Sequence, residues 1–368
     1  MWSQILASAK VPKDLRQTLR RGTDRYSTPR VDTPRGMNDL ARRFLDHLRA
    51  ELGEPGLEYA EPPVAISGGY DTQVFSFRLN TIHEGWARPL ILRLLGVQHD
   101  PRRAVLESII QNTVATLGYP APLAIAATAD TAVLGGAFLV MAHVVGRRML
   151  GDRWLGVAST LAEMQLRLHT LDAGPLLEAM DAIGARDAVT FDGLLTRFHN
   201  RIGRHGLDGL RPAMEWLVHH QPSAPARLVI CHGDFHPQNV LMAEGRVTGV
   251  LDWPNTVVAD PAYDIASTRF ILSLVPIGLA GVPAGARALV RAVRPLLLAR
   301  HLAAYRRQRP LDARTLEYYE AASGMRQLLR VAEAHLSGNL TPLDTSEFGA
   351  RVAARFAALT GVRASPIP

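Results

Sequence analysis

The chain has 368 residues, of which 47% are hydrophobic, so it is long enough for one two-lobed unit or for two to three domains with a sizeable core. Its formal net charge of +7 would suit an anionic ligand, a nucleic acid or a membrane surface, but the basic residues are spread along the chain without a clustered tract. The single cysteine, Cys231, excludes an internal disulfide, and the N-terminus lacks the apolar segment of a secretory signal. We therefore expect a cytoplasmic protein.

Lysine is almost absent, since only Lys10 and Lys13 occur among the 41 basic residues, and no lysine beyond position 13 can bind a phosphate. The apolar stretch at residues 270–286 is interrupted by Pro276 and Pro283 and is shorter than the roughly 20 apolar residues of a membrane span. We expect no nucleic acid and no membrane among the partners.

Residues 1–60 are predicted to be an N-terminal extension that contains one amphipathic helix. Leucine and phenylalanine recur at helical spacing within residues 37–52, whereas the residues before them are polar and basic. Pro62 and Pro63 are expected to end this region.

Residues 61–146 are predicted to form a small, strand-rich domain. Apolar runs separated by turns indicate strands at residues 64–66, 74–79 and 90–95, with two further strands within residues 132–145. Between them, Asp100 and Pro101 are expected to open a helix as its N-cap and its first residue.

Residues 147–368 are predicted to be mainly helical. Apolar residues at helical spacing indicate helices at residues 155–171 and within 189–220, and two short strands interrupt the pattern at 228–231 and 247–251. A strand-rich part followed by a larger helix-rich part predicts an α+β fold with two lobes and a cleft between them.

Polar side chains at the ends of the two short strands form the strongest motif of the sequence. Asp234 and Asn239 lie in the loop after the first strand, and Asp252 follows the second. A tight turn at residues 243–245 would bring Asn239 and Asp252 side by side. In phosphoryl transfer one carboxylate orients the attacking hydroxyl and accepts its proton, while a carbonyl oxygen and a second carboxylate hold Mg²⁺ against the phosphates. The motif thus predicts a kinase reaction with Asp234 as the base.

The motif resembles that of the aminoglycoside phosphotransferase family, which includes macrolide and choline kinase-like enzymes. The matching residues are His232, Gly233, Asp234 and Asn239 of the catalytic loop, Asp252 and Trp253 at the metal-binding strand end, and Asp260, Pro261 and Asp264 of an Asp-Pro-x-x-Asp pattern. The resemblance covers roughly residues 64–335. It implies a protein-kinase-like fold with a small β-rich lobe and a larger helical lobe, ATP or GTP as donor, Mg²⁺ as cofactor held by Asn239 and Asp252, and a small-molecule hydroxyl as acceptor.

The resemblance also implies nucleotide-binding residues in the strand-rich domain. Arg93 on the third strand stands in the place of the lysine with which protein kinases bind phosphates, and Glu107 on the following helix is its expected partner. Gly68 and Gly69, in a turn between two strands, could let backbone N–H groups approach the phosphates, although a bare hairpin turn would look the same.

The strand that begins near residue 138 resembles the one that leads into the interlobe linker of the family. Backbone groups of this linker bind the purine ring in the family. We expect that role for Met141, Ala142 and His143.

Several polar residues near the motif are expected to have supporting roles. Asp260 is expected to cap a helix, and Asp264 is expected to anchor the catalytic loop by hydrogen bonds. His232 is expected to brace the loop rather than to act as an acid or base, and His169 is expected to be buried near the loop. For His236, contact with the acceptor and a structural role are both open.

The acceptor site is expected in the helices after residue 265 and in residues 172–225, where no motif identifies it. From residue 265 onward the sequence contains 14 arginines but only six acidic residues. A neutral, apolar or anionic hydroxyl compound therefore fits better than a polycationic aminoglycoside. Arg326 and Arg330 are expected on a helix surface.

An alternative function is that of a nucleotide-binding pseudokinase that acts through a partner protein. The presence of all three catalytic polar residues argues against it, and triphosphate hydrolysis without acceptor would discriminate. A protein kinase is disfavoured because no Ala-Pro-Glu segment follows Asp252. The sequence leaves open the acceptor, the choice between ATP and GTP, and the oligomeric state.

Overall fold

The structure, a computed structural model, describes residues 34–66, 72–149, 156–223, 227–274, 284–338, 340–341 and 344–366. The chain divides into two units, and each is built from its own helices and strands. The first unit contains Met1–Gly146 and Thr248–Pro254, and the second contains Arg147–Val247 and Asn255–Pro368. The segment that carries Asp252 therefore belongs to the first unit.

The described part of the first unit contains an antiparallel sheet of five strands in the order β1-β2-β3-β5-β4, with two helices. Its elements are helix α1 (Pro34–Leu52), strands β1 (Glu58–Ala65), β2 (Thr72–Asn80) and β3 (Leu90–Leu95), helix α2 (Arg102–Thr116), and strands β4 (Ala124–Thr128) and β5 (Phe138–Ala142). The fully buried ring of Phe44 on α1 packs edge-to-face on Phe77 of β2 and Phe138 of β5, which fixes the helix on one face of the sheet.

Two predictions for this unit were wrong. Pro62 and Pro63 lie inside β1 rather than before it. An edge strand can accept proline because one side of it makes no ladder hydrogen bonds, and the register of β1 against β2 shifts twice around these residues. The fourth strand is Ala124–Thr128, earlier than predicted, and its alanine-rich sequence has a weak strand propensity.

The second unit is mainly helical and contains two small sheets, ordered β10-β7 and β6-β8-β9. Its elements are strand β6 (Arg147–Arg148), helices α3 (Val157–Leu168), α4 (Gly174–Ala182), α5 (Phe191–His205) and α6 (Arg211–His219), strands β7 (Val229–Cys231), β8 (Val240–Ala243), β9 (Arg246–Val250) and β10 (Val257–Ala259), and helices α7 (Pro261–Leu274), α8 (Ala284–Arg306), α9 (Ala313–Ser337) and α10 (Ser346–Thr360). Strand β9 begins in this unit and ends in the first.

Helix α9 lies in the core of the second unit, where its buried face packs on the helices around it. Its ends are set by local chemistry, because the Asp312 side chain accepts the Thr315 N–H at 2.7 Å and Gly338 ends the helix in a left-handed conformation. Rings from three elements meet here, since Phe191 packs edge-to-face on Tyr263 and Tyr319.

A two-residue turn joins β8 to β9, as the predicted tight turn at residues 243–245 requires. Glu244 and Gly245 have φ angles of +51° and +74°, the left-handed pair typical of the turn that matches strand twist. Asn239 precedes β8 and Asp252 follows β9, so both residues flank one hairpin. None of the helices in the described part of the chain is long and apolar enough to cross a membrane.

Candidate active site

The loop that follows β7 carries Asp234 in the second unit. Its side chain is 22% exposed, and its carboxylate receives no hydrogen bond from the described residues. Two basic side chains approach it: His236 Nε2 lies 3.9 Å from Oδ2, and Arg326 Nη2 lies 4.0 Å from Oδ1. A carboxylate with free oxygen lone pairs can accept a hydrogen bond from a hydroxyl and then its proton.

Gly233 gives this loop a backbone conformation that residues with a side chain rarely adopt. Its φ angle is +73°, and a Cβ atom at this position would lie 2.2 Å from the carbonyl oxygen of Asn255. A side chain would therefore strain the backbone and also clash with it. The glycine of the motif is required for the position of Asp234.

Asp264 on α7 anchors the same loop, as predicted. Its Oδ1 accepts the Gly233 N–H at 2.7 Å, while Oδ2 accepts Gln165 Nε2–H at 3.0 Å and lies 3.2 Å from His169 Nε2. Burial alone would raise the pKa of the Asp264 carboxyl, but His169 and the Gly233 N–H hold it below its usual value. The fully buried carboxylate therefore stays ionised and fixes the loop.

The network continues from Asp264 into α8. Tyr305 Oη lies 2.6 Å from His169 Nδ1, and His301 Nε2 lies 2.7 Å from Gln165 Oε1. Burial, helped by the charge of Arg269, lowers the pKa of His301 to about 4, so this histidine is neutral at pH 7. As predicted, His169 is a buried structural residue.

A second hydrogen bond holds the catalytic loop from α7, because the Thr268 hydroxyl donates to the Phe235 carbonyl at 2.8 Å. His232 is fully buried and packs edge-to-face on the Phe235 ring, which agrees with its expected bracing role. The Asp260 side chain accepts the Ala262 N–H at 2.7 Å at the start of α7, as a helix cap does.

Asn239 lies at the far end of the loop and is nearly buried. Its Nδ2 donates to the Asp234 carbonyl at 3.0 Å and lies 3.3 Å from His236 Nε2. Both contacts use the amide nitrogen, so the side-chain carbonyl oxygen is left without a hydrogen-bond donor among the described residues. That oxygen is a suitable ligand for a hard cation.

Arg93, Glu107 and Asp252 form an ion-pair cluster inside the first unit. Arg93 on β3 donates through Nη1 to Oε1 of Glu107 on α2, and through Nη2 to Asp252 Oδ1 at 3.2 Å. Burial lowers the pKa of Arg93, but the carboxylates of Glu107 and Asp252 raise it by more. The predicted pairing of Arg93 with Glu107 is present, and the structure brings Asp252 to the same guanidinium.

Asp252 itself has an unusual backbone conformation, with a φ angle of +70°. Aspartate tolerates this left-handed region better than most residues, and strained conformations of this kind cluster at functional sites. The next residue anchors the bend, because the buried Trp253 donates its indole N–H to the Val250 carbonyl at 2.9 Å and packs edge-to-face on Tyr119.

The residues predicted to bind the purine lie at the end of β5. The Ala142 N–H donates to the Leu123 carbonyl at 2.8 Å, and the His143 N–H donates to the Pro89 carbonyl at 3.0 Å. These two N–H groups are therefore occupied, and a purine at Met141, Ala142 or His143 would use the other backbone groups of this segment. The predicted phosphate-loop residues Gly68 and Gly69 lie outside the described residues.

Arg326 is the residue beside Asp234 that the sequence prediction missed. It was expected on a helix surface, but only 12% of its side chain is exposed. The missed signal was its spacing: it follows buried Tyr319 and Ala322 by seven and four residues and precedes buried Leu329 by three, so it shares their face of α9. Arg330, by contrast, is one-third exposed and pairs with Asp344 at 3.4 Å.

Asn239 in the second unit and Asp252 in the first each carry an oxygen ligand of the kind that Mg²⁺ prefers. Within the described ranges no group of three or more histidine, cysteine, aspartate or glutamate residues could hold a metal. Few protein ligands are expected for Mg²⁺ when substrate phosphates supply the rest.

A sheet-containing unit with a paired arginine, followed by a helical unit with an anchored aspartate loop, defines a phosphotransferase of the protein-kinase-like class. A model of the phosphotransferase enzyme family matches residues 64–318, well over half of the sequence, and the chain belongs to this family. The predicted family and α+β fold, with an antiparallel-sheet part before a mainly helical part, are confirmed.

Solved structures of similar fold include a thermostable mutant of aminoglycoside phosphotransferase APH(4)-Ia in a ternary complex with ADP and hygromycin B. It is 16% identical, covers 86% of this chain and 97% of its own, and superposes with a TM-score of 0.57. Macrolide 2'-phosphotransferase type I is also 16% identical, with coverages of 88% and 97% and a TM-score of 0.53. At these identities the likeness establishes the fold.

Curated relatives include acyl-CoA dehydrogenase family member 11 from Homo sapiens, which is 29% identical over 167 residues, covering 43% of this chain and 21% of the relative. The Pongo abelii protein of the same name is 27% identical over the same length. Uncharacterized protein YcbJ of Bacillus subtilis is 56% identical over 36 residues, 10% of this chain and 12% of that protein. The chain thus spans about a fifth of the length of the first two relatives.

Proposed function

We propose that this protein transfers the γ-phosphoryl group of ATP or GTP to the hydroxyl of a small molecule, with Mg²⁺ as cofactor. The observation that carries the proposal is Asp234, a partly exposed carboxylate on a loop whose backbone is tied to the buried Asp264. Within the described ranges no hydrogen-bond donor reaches this carboxylate. Membership of the phosphotransferase family supports the same reaction class.

In the proposed step the hydroxyl of the acceptor donates a hydrogen bond to the Asp234 carboxylate. The hydroxyl oxygen attacks the γ-phosphorus in line, and the bond between that phosphorus and the bridging oxygen breaks. The nucleoside diphosphate leaves with the electron pair of the broken bond, and the hydroxyl proton passes to Asp234. The products are a phosphate monoester, a nucleoside diphosphate and one proton.

We assign the nucleotide to groups of the first unit. Arg93, with Glu107 as its carboxylate partner, would bind phosphate oxygens, and the backbone of Gly68 and Gly69 would approach them. Backbone groups of residues 141–143 would contact the purine. The buried pairing of Arg93 supports this assignment, because a guanidinium fixed by two carboxylates keeps its charge and its direction.

We further propose that Asn239 and Asp252 hold the magnesium ion, the first through its side-chain carbonyl oxygen and the second through its carboxylate. When bound, Mg²⁺ would neutralise charge on the β- and γ-phosphates. The Asn239 amide, held by the Asp234 carbonyl, supports this role because its oxygen is turned away from that contact. We place the activity in the cytoplasm, where the triphosphate pool is available.

The test is consumption of ATP and of GTP by the full chain with Mg²⁺, against a panel of macrolides, aminoglycosides, choline, sugars and amino alcohols. We expect at least one acceptor to yield a phosphate monoester. We expect Asp234→Ala to abolish turnover while nucleotide affinity stays unchanged, because this residue acts on the acceptor hydroxyl. Isothermal titration with a non-hydrolysable triphosphate measures the affinity.

The matched control is Asp208→Ala, which removes a 73% exposed carboxylate paired with Arg211 on the protein surface, and its turnover should equal that of the natural chain. Unchanged turnover in Asp234→Ala would refute the assignment of the base. Nucleotide binding with only slow hydrolysis and no transfer to any acceptor would favour the pseudokinase.

A further inference from the structure

Arg326 is an arginine next to the proposed base whose hydrogen-bonding capacity is not used. Its Nη2 lies 4.0 Å from Asp234 Oδ1, too far for a hydrogen bond, and its Nη1 is buried without any hydrogen-bond partner among the described residues. Native proteins rarely leave a buried donor unpaired, and each such group calls for an explanation. A guanidinium has five donors in a fork that matches carboxylate and phosphate oxygens.

The acidic side chains after residue 265 do not supply the missing partner. Four of them are engaged: Asp312 caps α9, Glu320 pairs with Arg355 at 2.6 Å, Glu333 pairs with Arg201 at 2.6 Å, and Asp344 pairs with Arg330 at 3.4 Å. The other two, Glu317 and Glu347, are exposed. No described carboxylate after residue 265 therefore pairs with Arg326, and its nearby carboxylate, at 4.0 Å, is that of Asp234 from the catalytic loop.

We propose that Arg326 recognises the acceptor, and that the acceptor is a hydroxyl compound carrying an anionic oxygen group, a carboxylate or a phosphate, near the reacting hydroxyl. The inference rests on the proposed phosphotransfer and names its substrate class. Arg326 binds the anion while Asp234 takes the hydroxyl, so one small molecule spans two neighbouring side chains. The side chain keeps 12% exposure, so a small ligand reaches it by a limited change of side-chain torsion.

The charge of Arg326 also disfavours polycationic acceptors. A polycationic compound with its hydroxyl at Asp234 would place ammonium groups beside a largely desolvated guanidinium, where like charges repel more strongly than in water. An anionic group at the same place gains a charge-assisted hydrogen bond. The structure therefore assigns the choice between acceptor classes to one residue of α9.

The experiment compares three matched series of acceptors with ATP and Mg²⁺. The first series is anionic, hydroxycarboxylates of two to six carbons and glycerol 3-phosphate; the second contains the corresponding hydroxyamides and glycerol; the third contains amino alcohols of the same lengths. We expect kcat/KM to be about tenfold to hundredfold higher for the best anionic acceptor than for its neutral and cationic counterparts. Hydroxycarboxylates and glycerol 3-phosphate as separate arms distinguish carboxylate from phosphate.

Two variants test the residue itself. Arg326→Gln should lower kcat/KM for the anionic acceptor about tenfold or more relative to the neutral series, chiefly through KM, and should leave the affinity for nucleotide within about twofold. Arg326→Lys, which keeps a positive charge, should restore part of the loss. The matched control is Arg330→Gln, the same substitution one turn later on α9, at an arginine that pairs with Asp344. This variant should keep the preference for anionic acceptors.

Each outcome separates this inference from the proposed function. If the natural chain phosphorylates neutral or cationic acceptors as well as anionic ones, or if Arg326→Gln lowers kcat/KM equally for all three series, the inference is wrong while the phosphotransferase function stands. If the chain binds no nucleotide and phosphorylates no acceptor, the proposed function itself fails. The comparison within the natural chain decides the question even if Arg326→Gln does not fold.

Discussion

The two units hold their charged site residues in opposite ways. In the first unit the charges pair directly, since the buried Arg93 guanidinium binds the carboxylates of Glu107 and Asp252. In the second unit the Asp234 carboxylate accepts no hydrogen bond from the residues that the structure describes, and the backbone of its loop is held instead by Asp264 and Thr268. The difference suggests a division of labour: a group that binds a fixed anion is oriented by charge, whereas a group that must accept a proton keeps its lone pairs free.

The largest expected effect on stability is in the paired cluster. Arg93→Gln should lower the free energy of unfolding of the first unit by about 3–5 kcal/mol, because it leaves the buried Glu107 carboxyl without its cationic partner. It should also raise the Kd for ATP at least tenfold. Urea unfolding and calorimetric titration measure the two quantities.

A double variant sharpens this prediction. Arg93→Met with Glu107→Leu replaces both charges by apolar side chains of similar size and should recover most of the stability but none of the nucleotide affinity. Arg201→Gln is the matched control, because its pair with Glu333 is more than a quarter exposed on both sides and should contribute less than about 1 kcal/mol. If Arg93→Gln behaves like this control, direct pairing does not hold the first unit together.

The second expected effect is a loss of stability in mild acid that arises in the buried network of the second unit. The pKa of His301 falls from 6.5 to about 4 on folding, so the unfolded chain binds an additional proton between these values. The contribution of His301 to the free energy of unfolding is fully present above pH 6.5. About 3 kcal/mol of this free energy is lost as the pH falls to 4. Urea unfolding at pH 7.5, 6, 5 and 4 measures the loss.

His301→Gln should have a flatter dependence on pH over this interval, although it is less stable at pH 7.5. His219→Gln, at an exposed position on α6, serves as the control and should keep the pH dependence of the natural chain. An unchanged slope in His301→Gln would mean that another group produces the acid lability.

The smallest of the three effects on stability concerns the anchor of the catalytic loop. Asp264→Asn keeps an acceptor for the Gly233 N–H but turns an NH₂ group toward Gln165 and His169, which should cost about 1–3 kcal/mol. Because the loop loses its exact register, kcat should fall about tenfold to a hundredfold. Nucleotide affinity, which we assign to the first unit, should not change; a parallel loss of affinity would contradict the separation of roles.

The fold was predictable where the sequence pattern has a single physical interpretation. Strand β3 was predicted with the bounds that the structure shows. Its six residues are apolar except for Arg93 and lie between polar turns, and such a run suits a central strand. The pairing of Arg93 with Glu107 was expected from the resemblance to the aminoglycoside phosphotransferase family, and the structure contains it. Strand β4 was missed because its alanine-rich sequence has a weak strand propensity, and strand β10 was missed because three residues are too few to give a strand pattern.

The candidate site was predictable only in its motif residues. Asp234, Asn239 and Asp252 stand out because their spacing around one hairpin is informative, but Arg326 lies 92 residues after Asp234 in the numbering of the chain and has no motif. Its burial depends on the packing of α9, which the sequence shows only as a helical period. Because most arginines are exposed to solvent, Arg326 was predicted to lie on the surface of the helix.

Strand β9 has a consequence for the order in which the protein can be made. The chain leaves the second unit within this strand, contributes Thr248–Pro254 to the first, and returns. A nascent chain that has emerged only as far as Gly146 lacks Asp252, the second carboxylate of Arg93, and Trp253, which packs on Tyr119. The first unit is therefore completed only after about a hundred residues of the second have left the ribosome. In a fragment that ends at Gly146, the charge of the buried Arg93 would be balanced by Glu107 but not by Asp252.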